Sequence, residues 1–294
     1  MTEIEPEHDN KRNRRHWITR WLTRFVVFTA MAYVVFLITL SFSETALVYP
    51  GSDYPKGNWD PDWFEYEEIE FQSADGTDLV GWFIPTDQEP AEPTRTILIC
   101  HGNAENVAEV SGYWGTQFRD RLRAQVFAFD YRGYGKCKGT PNEEGLFQDS
   151  VAALNVLCEK ANCQPEDVII VGHSLGGGPA VHLAKTEGCK MLVLQRTYSS
   201  LPDAAAASYP MFPVHWIMKN RMNSADSIRD CVQPLFQSHG SEDALIPVEL
   251  GHKLHENSPA ESKEFFEVEG MGHWDPLPEE YWQRLSSFVD DVCG

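Results

Sequence analysis

The pattern of apolar and polar positions changes character twice along the chain. The first feature is a run with no charged residue, Phe25 to Ser43, FVVFTAMAYVVFLITLSFS. As a helix, these 19 residues span roughly 28 Å at about 1.5 Å per residue, close to the hydrocarbon thickness of a bilayer. The run is apolar on every side rather than along one stripe, which favours a membrane segment over a core helix. A cleaved signal peptide with small residues around Ser41-Phe42-Ser43 is the competing reading. Trp17 and Trp21 stand where an interfacial aromatic belt belongs.

Residues 44–64 are rich in Pro, Gly and Trp and read as an ordered linker. From residue 65 to 294, short apolar runs alternate with longer amphipathic stretches. The runs predict strands over Glu65–Phe71, Leu79–Pro85, Thr96–Cys100, Gln125–Asp130, Val168–Val171, Met191–Leu194, Pro234–Ser238 and Glu264–Val268. The longer stretches predict helices over Val107–Leu122, Glu143–Lys160, Leu175–Glu187, Val248–Asn257 and Glu279–Val292. The middle strands (ILIC, VFAF, VIIV, LVL) are apolar throughout, as strands covered on both faces are. The first two strands follow each other directly and the rest alternate with helices. That order predicts an α/β domain with a mostly parallel, eight-stranded sheet and helices on both faces. Arg196 to Val232 separates two strands by more than a crossover requires, and reads as a lid insertion or as a decorated crossover.

Charge alters this picture at both ends. The chain of 294 residues carries 24 basic and 44 acidic residues, a net of −20. Residues 1–24 hold six of the basic and four of the acidic residues, so the remainder has a net charge of −22. A domain that acidic repels phosphate backbones, which excludes nucleic acid as the expected partner. The basic residues before Phe25 predict a cytoplasmic N-terminus and a domain beyond residue 43 on the periplasmic or extracellular side. The seven cysteines show no CxxC and no zinc-type Cys/His spacing. Cys100 reads as a buried thiol, and Cys163 and Cys189 are candidates for a disulfide. No cofactor or metal motif appears. His252 and His255, three apart on a predicted helix, read as a solvated face.

The chemistry-bearing motif is Gly172-His173-Ser174-Leu175-Gly176, which follows the strand VIIV and opens a helix. A G-x-S-x-G turn in that context lifts the serine hydroxyl above the strand end at a helix N-terminus. A serine hydroxyl needs a base to take its proton, and in this arrangement an acid and then a histidine follow in the chain. Asp243, on the loop after the strand LFQS, is the expected acid, with Glu242 and Asp226 as competitors. His273, after the last strand, is the expected base. His239 precedes the acid and is out of order, and His173 reads as packed beside the serine. The backbone N–H groups of Leu175 and of Asn103, in the loop HGNAEN, are the expected oxyanion donors. Met211, Phe212 and Trp216 of the insertion are the candidate apolar wall for an acyl chain.

HGNAEN, FDYRGYGKCKGTPNEEGLFQD, VGHSLGG, SHGSEDALIP and GMGHWDP together resemble one branch of the α/β-hydrolase superfamily, the single-anchor α/β-hydrolase-domain proteins and their bacterial relatives. The similarity runs from about Leu47 to the C-terminus. It implies a Ser174, Asp243 and His273 triad without a cofactor. It also implies a family in which some members remove palmitoyl groups from proteins and others resemble prolyl-oligopeptidase-like peptidases. This chain departs from the family pattern at Glu105, where glycine is usual, and at Cys137, where serine is usual. Cys137, flanked by two lysines, is either a low-pKa thiol or a tolerated serine replacement. The expected activity is hydrolysis of a carboxylic ester or thioester. A serine peptidase and a non-catalytic, membrane-tethered binding protein on the same fold are the alternatives.

Overall fold

The computed structural model describes residues 7–86 and 95–293. Residues 1–6 of the basic tail, and the side chains of residues 7–15, lie outside the described part. The chain divides into two units, Met1–Glu44 and Thr45–Gly294.

The first unit is helix α1, Glu7–Phe42. Within it, His16–Phe42 is long and apolar enough to cross a membrane, and its side chains are exposed along nearly the whole length.

The second unit begins at Thr45, within a short helix, α2 (Glu44–Val48), and the stretch expected to be a linker is built into it. Tyr49 and Phe64 are buried in its two hydrophobic clusters, and Asn106 Nδ2 donates to the Ser52 hydroxyl at 3.1 Å. Among the described residues, eight strands form one sheet in the order β1-β2-β4-β3-β5-β6-β7-β8. They are β1 (Glu67–Gln72), β2 (Asp78–Ile84), β3 (Arg95–Cys100), β4 (Ala124–Phe129), β5 (Val168–His173), β6 (Met191–Gln195), β7 (Leu235–Gly240) and β8 (Lys263–Val268). β2 pairs antiparallel with β1 and β4, and every other pairing is parallel. Each predicted strand is present, displaced by at most two residues at either end. β3 to β6 are buried along almost their whole length, as their unbroken apolar runs require.

The expected helix Val107–Leu122 is broken into α3 (Val107–Val110), a π turn over Ser111–Gly115 and α4 (Thr116–Leu122). Gly112 and Gly115, poor helix formers, lie within this wider turn, which buries Trp114. The helices α5 (Glu143–Ala161) and α6 (Gly177–Thr186) pack on one face of the sheet. The insertion after β6 contributes three short helices, α7 (Leu201–Ser208), α8 (Val214–Ile217) and α9 (Ser224–Ser227). Two helices close the chain, α10 (Val248–Asn257) and α11 (Glu279–Cys293). α11 lays Tyr281, Trp282, Leu285 and Val289 against the second cluster.

All seven cysteines are free thiols, so the proposed pairing of Cys163 with Cys189 is absent. Cys163 instead meets Cys158, because its N–H closes the C-terminal turn of α5 onto the Cys158 carbonyl at 3.0 Å. The low-pKa reading of Cys137 also fails. Its thiol is buried, accepts the Val80 N–H at 3.2 Å and sits near Asp130, and burial pushes its pKa well up.

Candidate active site

β5 ends at His173 and the chain turns abruptly. Ser174 adopts φ 50, in the left-handed region that side chains disfavour, and a 3-10 turn over Ser174–Gly176 leads into α6. The turn is held by contact on several sides. A Cβ on Gly176 would lie 2.0 Å from the Cys100 carbonyl oxygen, so only glycine lets this backbone meet the loop after β3. Thr197 Oγ1 donates to the Ser174 carbonyl at 2.8 Å, and the Tyr198 hydroxyl donates to the Leu175 carbonyl at 2.9 Å. The raised serine is therefore over-determined by its surroundings, as a strained residue must be to persist.

Ser174 Oγ lies 3.1 Å from Nε2 of His273, whose Nδ1 lies 2.7 Å from Oδ2 of Asp243. All three residues are buried. Asp243 Oδ1 accepts the N–H groups of Leu245 at 3.0 Å and Ile246 at 2.8 Å. Oδ2 also has His239 Nε2 3.3 Å away. Burial alone would raise the Asp243 pKa, but hydrogen bonds from His239, His273 and Ile246 hold it far below the usual carboxylate range. An ionised Asp243 fixes Nδ1 as the protonated nitrogen of His273 and leaves Nε2 free to accept the serine proton. Burial lowers the His273 pKa below 6.5, against the opposing pull of Asp243. The imidazole is thus neutral near pH 7 and able to act as a base.

Among the competing acids, Glu242 is exposed, and Asp226 accepts from Asn223 Nδ2 at 2.5 Å within the insertion. Neither takes the place of Asp243 beside His273. His239, set aside on chain order, is buried beneath Asp243, with Nε2 2.7 Å from the Ile246 carbonyl. Arg196 had no reading from the sequence. It is buried at the end of β6, and its guanidinium donates to the backbone carbonyls of His273 and Asp275. It therefore ties the histidine loop to the central sheet. Only its place just after a buried strand hinted at such a role.

The loop after β3 lies against the serine turn. Asn103 is held at both ends of its side chain: Nδ2 donates to the Val48 carbonyl at 2.7 Å, and Oδ1 accepts the Tyr134 hydroxyl at 2.8 Å. Leu175 is buried at the start of the 3-10 turn. His173 is packed, as expected, with its ring 5.3 Å from Trp114 and 6.0 Å from His273. Trp274 meets His273 edge-on at 4.8 Å and is 67% exposed, so it forms part of the rim.

The insertion residues lie differently. Met211 is 85% and Trp216 90% exposed, so these side chains are turned to the outside rather than folded over Ser174. The reason is local: α8 is one turn that buries only Val214, and α7 buries only Leu201 and Pro202. Phe212 follows Met211 and is half-buried, with its ring 6.4 Å from Tyr209. Among the described residues, no three His, Cys, Asp or Glu side chains gather into a metal-binding group. His252, expected to be solvated without an acidic neighbour, is half-exposed but stacks on Phe265 at 4.2 Å and meets Glu267 at 2.9 Å.

The family model for the α/β-hydrolase fold matches residues 95–216, from β3 into the insertion. The chain is 34% identical to the protein YfhR of Escherichia coli over 202 residues, which cover 66% of this chain and 69% of that one. The chain belongs to the α/β-hydrolase family. Within this family it is also 31% identical to α/β hydrolase domain-containing protein 17C of Xenopus tropicalis, over 66% of this chain and 61% of that one. Among solved structures, an esterase of Pyrococcus furiosus superposes with a TM-score of 0.67 at 21% identity, covering 84% of this chain and all of that one. That likeness is one of fold.

Proposed function

We propose that this α/β hydrolase is a membrane-anchored serine hydrolase that cleaves carboxylic ester or thioester bonds. The observation that carries the reading is the unbroken sequence of contacts from Ser174 Oγ through His273 to Asp243, at 3.1 and 2.7 Å, with the serine raised on a left-handed turn. In the proposed reaction, Ser174 Oγ attacks the acyl carbonyl carbon as its proton passes to His273 Nε2. The tetrahedral oxygen takes hydrogen bonds from the N–H groups of Leu175 and Asn103. Collapse of the intermediate expels the alcohol or thiol, which takes the proton from His273, and leaves an acyl-serine. Water, activated by the same histidine, releases the acid and restores the serine. No cofactor is required by this sequence of steps.

An ester is favoured over a peptide by two observations. The exposed indole of Trp274 beside His273, with the exposed apolar side chains of the insertion, suits an acyl chain better than a charged peptide. Structural neighbours include the Pyrococcus esterase and an acetyl xylan esterase of Paenibacillus. In this proposal Met211, Phe212 and Trp216 serve as the acyl wall only when the insertion closes. His16–Phe42 anchors the protein, with its N-terminal side in the cytoplasm and the hydrolase unit on the periplasmic or extracellular side.

Fluorophosphonate labelling followed by a C2–C12 p-nitrophenyl ester series and an aminoacyl-amide panel tests the activity. Labelling at Ser174 with ester turnover supports the proposal, whereas faster cleavage of the amides would replace it with a peptidase. Carbonate extraction of membranes tests the anchor, and release of the intact chain would remove it. Digestion of the hydrolase unit by protease added to spheroplasts supports the orientation, and protection would reverse it.

A further inference from the structure

The charge at Glu105 lies where the resemblance noted above leads one to expect glycine, and the structure turns it inward. The side chain is only 20% exposed. Its Oε2 accepts the Gly102 N–H at 2.7 Å and lies 3.3 Å from Nδ1 of His173, the residue immediately before the serine. Burial alone would raise the pKa of this carboxyl. Attraction to His173, the hydrogen bond between them, the nearby His101 and the Gly102 N–H together hold it down at about 2. The loop has closed tightly on the pair. A Cβ on Gly102 would lie 2.7 Å from Glu105 Oε2 and 2.9 Å from His173 Nδ1.

The next peptide is fixed from its other side. His101 Nδ1 lies 2.8 Å from the Gly102 carbonyl oxygen, and the Tyr131 hydroxyl donates to the His101 carbonyl at 3.2 Å. A trans peptide is planar, with its C=O and N–H pointing in opposite directions. Holding the Gly102 carbonyl toward His101 therefore aims the Asn103 N–H away from it. One residue further on, Ala104 adopts φ 58, so the turn depends on outside support.

We propose that Glu105 is a positioning residue: paired with His173, its carboxylate clamps the Gly102 N–H and thereby holds the Asn103 N–H in place for the tetrahedral oxygen. The proposal rests on the serine-hydrolase reading. It assigns Glu105 no contact with substrate. The clamp works through the acceptor geometry of the side chain. The His173 ring, with Nδ1 3.3 Å from Oε2, holds the carboxylate against the Gly102 N–H.

The experiment compares the wild type, Glu105→Ala and Glu105→Gln in kcat and KM on a short p-nitrophenyl ester. Affinity for a trifluoromethyl ketone, which mimics the tetrahedral state, is measured in parallel. Loss of one oxyanion donor costs about 100- to 1,000-fold, so a donor that is loosened rather than removed should cost about 10- to 100-fold. Glu105→Ala is expected to lose that factor in kcat and in ketone affinity together, with KM nearly unchanged. Glu105→Gln, which keeps an acceptor for Gly102, should recover to within about fivefold of wild type. The double variant Glu105→Ala/His173→Ala should fall well short of the product of the two single losses, because the pair acts as one unit. Equal activity of Glu105→Ala and wild type would overturn the clamp, as would a Glu105→Gln as damaged as the alanine variant. A wild type that neither takes a fluorophosphonate nor turns over ester would overturn the serine-hydrolase reading and the clamp with it. A labelled, active wild type beside an unaffected Glu105→Ala would overturn the clamp alone.

Discussion

The edge of the sheet around Ser174 and the outer part of the insertion after β6 differ in how deeply their side chains are held. At the edge, the serine, the acid and the histidine loop are each tied down by buried hydrogen bonds. The Ser174 carbonyl is held by Thr197, the Asp243 carboxylate by two N–H groups and a histidine, and the His273 loop by Arg196. In the outer part of the insertion the short helices bury little, and α8 buries only Val214. Ser200 caps α7, Asn223 reaches Asp226, and the large apolar side chains of Met211 and Trp216 face outward. The first region pays its ordering entropy during folding, so that a reaction meets groups already in place. In the proposed function, reaction type belongs to the edge and substrate range to the insertion.

The largest expected effect lies at the rigid edge. Ser174→Ala should lower kcat by about 10⁴- to 10⁶-fold and abolish fluorophosphonate labelling. Persistent labelling would move the nucleophile elsewhere and dissolve the contrast. Asp243→Asn should cost about 10³- to 10⁴-fold, because the amide stabilises the wrong tautomer of His273. Asp226→Asn, in the insertion, should stay within about twofold of wild type. A reversal of these two would show that the acid has been misassigned.

A smaller effect concerns pH. Burial lowers the His273 pKa below 6.5, and the base is active when neutral. The value of kcat/KM should therefore be full at neutral pH and fall as pH drops through a midpoint below 6.5. Asp243 raises this pKa, so Asp243→Asn should move the midpoint lower still. A midpoint above 6.5 in the wild type would mean that the buried carboxylate outweighs desolvation. The smallest effect belongs to the insertion. Trp216→Ala should leave the folded stability and C2-ester turnover within about twofold, while shifting the preferred acyl length. An unchanged chain-length profile would remove the insertion from substrate selection.

The strands and the serine turn were legible because local rules dictate them. An apolar run four or more residues long, bounded by turn residues, has few alternatives to a buried strand. Gly172 and Gly176 are required by close backbone approaches, and Gly177 by the Thr197 side chain packed against it. The order of serine, acid and histidine came with the serine-turn arrangement, and Ser174, Asp243 and His273 each fall on a loop after a strand of the sheet. What was not legible depends on contacts between residues far apart in sequence. Arg196 and the His273 carbonyl are 77 positions apart, and Glu105 and His173 are 68 apart. No periodicity records such pairs. The π turn at Ser111–Gly115 was missed for a different reason: its apolar spacing matches a continuous helix closely enough to hide one extra residue per turn. The insertion showed its length and its apolar content in the sequence, but not the direction in which those side chains point.

The free thiols have a consequence for how the protein survives oxidants. Burial pushes the Cys100 thiol up to about 12, the Cys231 thiol to about 11, and Cys137 and Cys189 higher still. Attack on peroxide or on a disulfide requires the thiolate, and at these values almost none is present at neutral pH. The core therefore resists sulfenic acid formation and mixed-disulfide exchange by kinetics rather than by cross-linking. No cysteine is cross-linked, so the fold contains no sulfur–sulfur bond for a reducing compartment to break.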